Sequence, residues 1–256
     1  MPQLPDLDGQ VALVTGASSG LGAHFARLLA RHGAAVALAA RRTDRLATLA
    51  DEIAAGGGRA TPVALDVRDE GSVAAAVAAA GEALGPVTIC VNNAGVTYTK
   101  RLLETTLEDW ESVVDTNLTG CWLVARETGR HMQAHGRGGR IVNIASVLGV
   151  MTEGKGVMAY AAAKAGLVSM TGSLALELAP AGVLVNALAP GYIETDFNRE
   201  FLNSEPGQRL ARRAALRRFG VAGDLDGPLL LLVGPGGGYM TGAVLVVDGG
   251  LTLTTL

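Results

Sequence analysis

The sequence predicts an α/β fold: a single doubly wound parallel sheet of about seven strands, with helices on both faces. Three observations carry this. Short apolar runs alternate with longer helical segments along nearly the whole chain. Those runs are apolar at successive positions, as strands covered on both faces are, not at every second position. A glycine-rich turn between Gly16 and Gly22 joins the first run directly to the first helical segment. Right-handed crossovers then wind the chain over both sides of one sheet.

The expected strands are Val11–Thr15, Val36–Ala40, Thr61–Leu65, Val87–Asn92, Arg140–Ala145, Val183–Ala187 and Ala243–Val247. The expected helices are Leu21–His32, Arg45–Ala55, Ser72–Leu84, Leu107–Gln133 and Ala159–Ala179. Thr43 is placed to cap the second helix, and Gly56-Gly57-Gly58 to end it. Gly85-Pro86 closes the third. With no linker and no internal repeat, residues 1–256 read as one domain. Gly191–Gly220 is the exception: polar, charged and placed after a strand's C-terminal end, where open α/β sheets bind ligands. It reads as a substrate-covering insertion, mobile until a ligand arrives.

Of 256 residues, 49% are hydrophobic and 18% charged, enough to build a core and too apolar for disorder. A net charge of -3 gives no reason to expect a nucleic-acid partner. Cys90 and Cys121 lie in apolar runs and read as reduced, buried thiols of a cytoplasmic protein. The opening MPQLPDLDG is no signal peptide, and Leu225–Val233 is too short to span a bilayer, so no membrane association is expected. His131 and His135 stand at metal-compatible spacing but read as a solvated helix end, and no metal is expected. Trp110 and Trp122 read as packing residues. Arg212, Arg213, Arg217 and Arg218 read as a solvated helix face, or as a contact for an acidic substrate or carrier.

The turn reads Thr15-Gly16-Ala17-Ser18-Ser19-Gly20-Leu21-Gly22. Glycines let the backbone approach a pyrophosphate closely, and the helix that follows presents N–H groups and its positive dipole end. Gly16, Ser18, Ser19, Gly20, Leu21 and Gly22 are therefore candidate phosphate contacts. NAD-binding folds commonly place an acid at the end of the second strand, on the ribose 2′-hydroxyl. Here that position is Ala40, followed by Arg41 and Arg42. Arg41 is positioned to offer a forked donor to a 2′-phosphate. NADP(H) is thus favoured, and NAD(H) remains possible.

Together with this turn, Leu65-Asp66-Val67, Asn92-Asn93-Ala94-Gly95, Ser146, Tyr160-x-x-x-Lys164, Pro190-Gly191, Thr241-Gly242 and Val247-Asp248-Gly249-Gly250 resemble the short-chain dehydrogenase/reductase family. The resemblance implies an adenine pocket at Asp66 and Val67 and a supporting turn at Asn93, Ala94 and Gly95. It implies a nicotinamide-side stretch at Pro190, Gly191, Ile193 and Thr195. It also implies a catalytic set of Asn117, Ser146, Tyr160 and Lys164. In the family, the asparagine breaks its helix and holds a water that links the lysine to solvent.

The chemistry is sufficient in principle. Tyr160 and Lys164 share one helix face. A tyrosine hydroxyl has a reference pKa of about 10, and lowering it by about three units takes roughly 4 kcal/mol. One cation at about 4 Å, in an effective dielectric of about 20, supplies that much. Ser146 can hydrogen-bond the substrate oxygen, and Tyr160 can protonate it during hydride transfer. The expected activity is interconversion of a ketone and a secondary alcohol. Val147, Leu148, Val150, Met151, Val157 and Met158 suggest an apolar small-molecule substrate. The alternatives are a 3-oxoacyl thioester reductase and, from another class, a silent dinucleotide sensor. A homo-oligomer, as a tetramer, follows mainly from the resemblance: relatives pair the two long helices.

Overall fold

A computed structural model describes residues 6–152, 154–195, 200, 202 and 204–253. In strand β1 (Val11–Thr15) and strand β2 (Ala35–Ala40) every residue is buried. Runs covered on both faces occupy the middle of a sheet. They pair in parallel, Val11 with Ala35 through Thr15 with Ala39. The others are β3 (Arg59–Ala64), β4 (Ile89–Asn92), β5 (Gly139–Ile144), β6 (Val183–Pro190) and β7 (Val244–Val247). The strand order is β3-β2-β1-β4-β5-β6-β7, with parallel pairing throughout. The order reverses between β1 and β4, which opens a crevice at the strands' C-terminal ends.

Successive strand residues feed opposite layers. Ala12, Val14, Val36 and Leu38 join one core with helices α1 (Gly20–Arg31) and α2 (Thr43–Ala55). Val11, Leu13, Ala35 and Ala37 join the other with α3 (Glu70–Leu84), α5 (Gly120–His135) and α6 (Met158–Leu178). Phe25 on α1 is fully buried. Its truncation to alanine would cost about 3–5 kcal/mol, a large share of a typical domain's stability.

A polar chain runs through the second core. Asn92 Nδ2 donates to Asn143 Oδ1 at 3.1 Å, and Asn143 Nδ2 donates to Thr171 Oγ1 at 2.9 Å. All three residues are buried. Directional bonds between buried groups fix one register where apolar contacts would tolerate several. Here they fix α6 against β4 and β5.

Several elements depart from expectation. The segment expected as one helix from Leu107 to Gln133 is α4 (Leu107–Val114), a π turn over Asp115–Thr119, and α5 running to His135. Thr43 begins α2 instead of capping it, and Arg42 stands at the cap position. β4 starts at Ile89, not Val87. Val87 leaves the ladder because two histidines hold it: its N–H donates to His131 Nε2, and His135 Nε2 meets its carbonyl, each at 3.1 Å. These histidines are therefore not a solvated helix end.

The segment 191–220 has its ends joined, with Ile193 bridged to Gly220 and the Glu194 N–H donating to the Gly220 carbonyl at 2.8 Å. It contains α7 (Glu205–Ala211), capped by Ser204. Residues 196–199, 201 and 203, also expected within this insertion, lie outside the described residues. Arg212, Arg213, Arg217 and Arg218 lie beyond α7 in turns, not on a helix face, and Arg218 is paired with Asp224 at 2.7 Å. Helix α8 (Asp226–Val233) packs on the first core. Among the described residues, no helix is long and apolar enough to cross a membrane.

Candidate cofactor and active site

The chain leaves β1 at Thr15 and turns at Gly16, whose φ of +67° suits glycine. A Cβ there would lie 2.9 Å from Ala94 Cα, and one at Gly22 would lie 2.3 Å from the Gly16 carbonyl oxygen. Both positions therefore need glycine for close approach, one to the β4 turn and one to the loop itself. Thr15 closes the arrangement from below. Its Oγ1 accepts from the Asn93 and Ala94 N–H groups, each at 3.0 Å. Ser19 precedes α1 without capping it, so its hydroxyl does not occupy the helix's first N–H groups.

A cleft of about 490 Å³ runs from this loop across the sheet's C-terminal edge. It brings together Gly16, Ser18, Ser19, Leu21, Arg41, Asp66, Val67, Asn93, Ala94 and Gly95. Gly20 and Leu21 face a second groove, which Thr195 also lines. Gly22 packs under the loop. Pro190 ends β6, and Gly191 and Ile193 border a separate small cavity with Asp248.

At the far end, Asp66 accepts three times from Arg68: the backbone N–H on Oδ1 at 3.0 Å, Nε on Oδ1 at 3.3 Å and Nη2 on Oδ2 at 3.0 Å. These bonds hold the Asp66 carboxyl below its usual range, and the charge of Arg41 adds to the effect. Arg42 reaches the loop instead, with Nη2 2.9 Å from Ser18 Oγ and 2.8 Å from Ser19 Oγ. The wide cleft, the glycine loop and the guanidinium groups fit a phosphate-bearing dinucleotide.

None of the four residues singled out as a catalytic set lines this cleft; Tyr160 and Asn117 adjoin it through Val96. Lys164 is 3% exposed, and its Nζ donates to the Ile144 carbonyl at 2.7 Å. The same Nζ is 5.6 Å from the Tyr160 ring centroid. Tyr160 packs with Val96 on the cluster of Val113, Ala159 and Ala163, and Val96 also lines the cleft. Ser146 lies two residues past β5, where its Oγ accepts from the Leu148 N–H at 3.1 Å. Asn117 sits in the π turn. Its Nδ2 donates to the Val96 and Val113 carbonyls, both at 2.8 Å. Its Oδ1 is buried and has no partner among the described residues. The π turn is what rotates this side chain inward.

Of the residues expected to form an apolar pocket, Val147 belongs to the packing: it is buried with Ala214 and Leu251. Leu148 and Met151 lie against that cluster with Tyr192, while Val150 and Met158 are exposed. No cluster of three metal-ligating side chains occurs among the described residues. Burial pushes the Cys90 thiol up to about 12 and raises that of Cys121, so both are inert.

Sequence reasoning missed Arg42, Arg68 and Thr15. Arg42 and Arg68 were hidden because no spacing rule says which way a surface arginine folds. Thr15 was visible as the strand's last residue, where a hydroxyl can reach the next strand's turn.

A cleft lined by a glycine loop and guanidinium groups, with a phenol and a buried ammonium packed behind its Val96, is what an oxidoreductase working with a dinucleotide requires. Residues 10–206 match the short chain dehydrogenase family, and the chain belongs to it. It is accordingly an NAD(P)-dependent enzyme that interconverts alcohol and carbonyl groups. It is 40% identical over 247 residues to the L-rhamnose 1-dehydrogenase (NAD(P)(+)) of Azotobacter vinelandii, covering 94% of this chain and 96% of that one. It is 41% identical over 246 residues to the 3-oxoacyl-acyl-carrier-protein reductase FabG of Aquifex aeolicus, covering 96% and 98%. The crystal structure of a gluconate 5-dehydrogenase from Burkholderia cenocepacia, in complex with NADP and tartrate, superposes with a TM-score of 0.93 at 34% identity, covering 97% of each chain.

Proposed function

We propose that the chain is a reductase of small-molecule ketones, reversible as a secondary-alcohol dehydrogenase, with Tyr160 as acid and base. The observation that carries this is the anchored ammonium of Lys164 beside the Tyr160 ring. In reduction Tyr160 gives its hydroxyl proton to the substrate oxygen, and in oxidation it takes one back. Lys164 keeps positive charge beside the phenol. Ser146 can rotate its hydroxyl proton toward the substrate oxygen while still accepting from Leu148. Asn117 Oδ1 accepts from a water that passes protons to Lys164. The bound dinucleotide supplies or receives the hydride.

Gly16, Ser18, Ser19, Gly20, Leu21 and Gly22 hold its phosphates, with Asp66 and Val67 at the adenine. Asn93, Ala94, Gly95, Pro190, Gly191, Ile193 and Thr195 border the rest. NADP(H) is favoured over NAD(H), supported by the missing acid at Ala40 and by the NADP-bound gluconate 5-dehydrogenase. Residues 1–256 act as one domain, with 191–220 covering the substrate.

The chain works in the cytoplasm as a homotetramer. Exposed Leu107 on α4, Trp122 on α5 and Leu176 on α6 support the assembly. Trp122 is thus not a core residue; the Arg126 guanidinium stacks on its ring at 4.5 Å. Light scattering at micromolar concentration tests the assembly, and a monomeric mass refutes it.

Leu148, Met151 and Tyr192 support an apolar substituent on the substrate. A second reading, reduction of 3-oxoacyl thioesters, is supported by the FabG relative. The test is nicotinamide absorbance with aryl and long-chain ketones, 3-oxoacyl thioesters, and oxidation of L-rhamnose and D-gluconate. Highest efficiency on ketones is expected. Highest efficiency on a thioester favours the second reading, and on a sugar it overturns the apolar pocket.

A further inference from the structure

We propose that Tyr98 is a positioning residue for the reaction: its buried hydroxyl and Asn117 Oδ1 hold one internal water between them, and this water exchanges protons with Lys164. This deepens the proton path given above and rests on it.

Tyr98 stands in the loop after β4, two residues past Val96. Its ring packs with Tyr160 and Trp110 against the buried Val113, Ala159 and Ala163. The loop is held where it is. The Lys100 N–H donates to the Gly156 carbonyl at 3.0 Å, just ahead of α6. A Cβ on Gly156 would lie 3.1 Å from Thr99 Cγ2, so the two loops approach closely. Lys100 Nζ, paired with Asp109 at 2.6 Å, stands 5.9 Å from the Tyr98 ring centroid. The ring thus lies between this ammonium and the α4–α6 cluster, with its hydroxyl turned inward.

That hydroxyl is buried and has no partner among the described residues, and the same holds for Asn117 Oδ1. The two groups share neighbours. Asn117 Nδ2 donates to the carbonyls of Val96 and Val113, and both valines pack in the cluster that holds Tyr98. A buried hydroxyl left unpaired is costly, and a phenylalanine would fill the same space without that cost. The two atoms are complementary: the phenol can donate, and the amide oxygen can only accept. One water satisfies both, accepting from Tyr98 and donating one proton to Asn117. It keeps a lone pair for Lys164 Nζ and one proton to pass on. That makes three protein partners, as a buried water requires. Accepting from two donors also strengthens the bond the water gives.

The test compares wild type, Tyr98→Phe, Asn117→Ala and the double variant of the full chain. It reads melting temperature, KM, and kcat in H2O and in D2O, on whichever substrate the wild type uses best. Tyr98→Phe should lower kcat about three- to tenfold, the weight of one hydrogen bond, and raise the solvent isotope effect on kcat. KM and cofactor affinity should stay within about twofold, because Tyr98 does not line the cleft. The melting temperature should not rise, since the water loses a partner. The double variant should be no slower than Asn117→Ala alone, because both substitutions act on the same water. A Tyr98→Phe enzyme at full rate overturns the proposal, as does a slower one whose isotope effect is unchanged. A raised melting temperature would show that the hydroxyl was unpaired, and losses that multiply in the double variant would show two independent roles; either overturns the shared water. All these outcomes leave Tyr160 as acid and base. Only a Tyr160→Phe enzyme working within about tenfold of wild type removes the proton path on which the proposal rests.

Discussion

Lys164 donates through Nζ to the carbonyl oxygen of Ile144 at 2.7 Å, tying helix α6 to the end of β5. A lysine this buried keeps its charge only where its protons find partners. One proton is spent on Ile144, and two remain, for the phenol and for one further acceptor, a water or a ribose. The residue is thus anchored on its own sheet and works toward the cleft. Lys164→Met is expected to lower kcat at least about a hundredfold, which corresponds to about 2.7 kcal/mol. Turnover within threefold of wild type would show that the charge is not needed.

Asn117 spends both amide protons on backbone carbonyls that a regular helix would leave differently placed. Asn117→Ala removes both bonds and is expected to cost about 1–3 kcal/mol of stability. Thermal unfolding should show the loss as a fall of several degrees. The same variant should slow turnover, because no Oδ1 remains to hold the water. A full-rate Asn117→Ala enzyme would assign the residue to the turn alone.

The sheet was legible because its central strands are buried on both faces, and such runs as Val11–Thr15 have little alternative. The site's skeleton was legible because Gly16, Tyr160 and Lys164 stand in fixed relation to elements that periodicity locates. The π turn was legible only through the family resemblance, which implied a helix break at Asn117, since Asp115–Thr119 carries no proline or glycine before Gly120. The grip of His131 and His135 on Val87 was hidden, because it joins residues 44 and 48 positions apart. Arg42 shows the same limit: adjacent arginines look alike in a sequence, and only side-chain direction separates them.

The histidine grip has a pH consequence. Val87 donates to His131 Nε2, so that nitrogen must be unprotonated. Arg137 N–H donates to His135 Nδ1 at 3.1 Å, which turns His135 Nε2 toward the Val87 carbonyl. Burial first, then the nearby His135, holds the His131 imidazole below its ordinary value, against a smaller opposing pull from Glu127. In the unfolded chain it takes up a proton near pH 6.5. Stability is therefore full above about pH 6.5 and is lost as pH falls from there through the lower folded value. Denaturant unfolding across this range should show that decline, and His131→Gln, whose Oε1 can still accept from Val87, should flatten it. An identical pH dependence in the variant would locate the titration elsewhere.

Ala40 ends β2 at the mouth of the cleft. Ala40→Asp should place a carboxylate where a 2′-phosphate would otherwise lie, adding repulsion to NADP(H) and two acceptors for a ribose diol. The ratio of kcat/KM for NADPH over NADH should fall at least about tenfold. A ratio that does not move would mean the ribose lies elsewhere.

The central claim is that Tyr160 moves the proton while the rest of the cleft holds the dinucleotide. Tyr160→Phe keeps the ring that packs with Val96 and Trp110 and removes only the hydroxyl. The measurement pairs cofactor binding by calorimetry with turnover by nicotinamide absorbance on whichever substrate the wild type uses best. Affinity should stay within about threefold while kcat falls at least about a thousandfold, roughly 4 kcal/mol of transition-state stabilisation. A Tyr160→Phe enzyme working within about tenfold of wild type, a loss of only about 1.4 kcal/mol, would contradict the account.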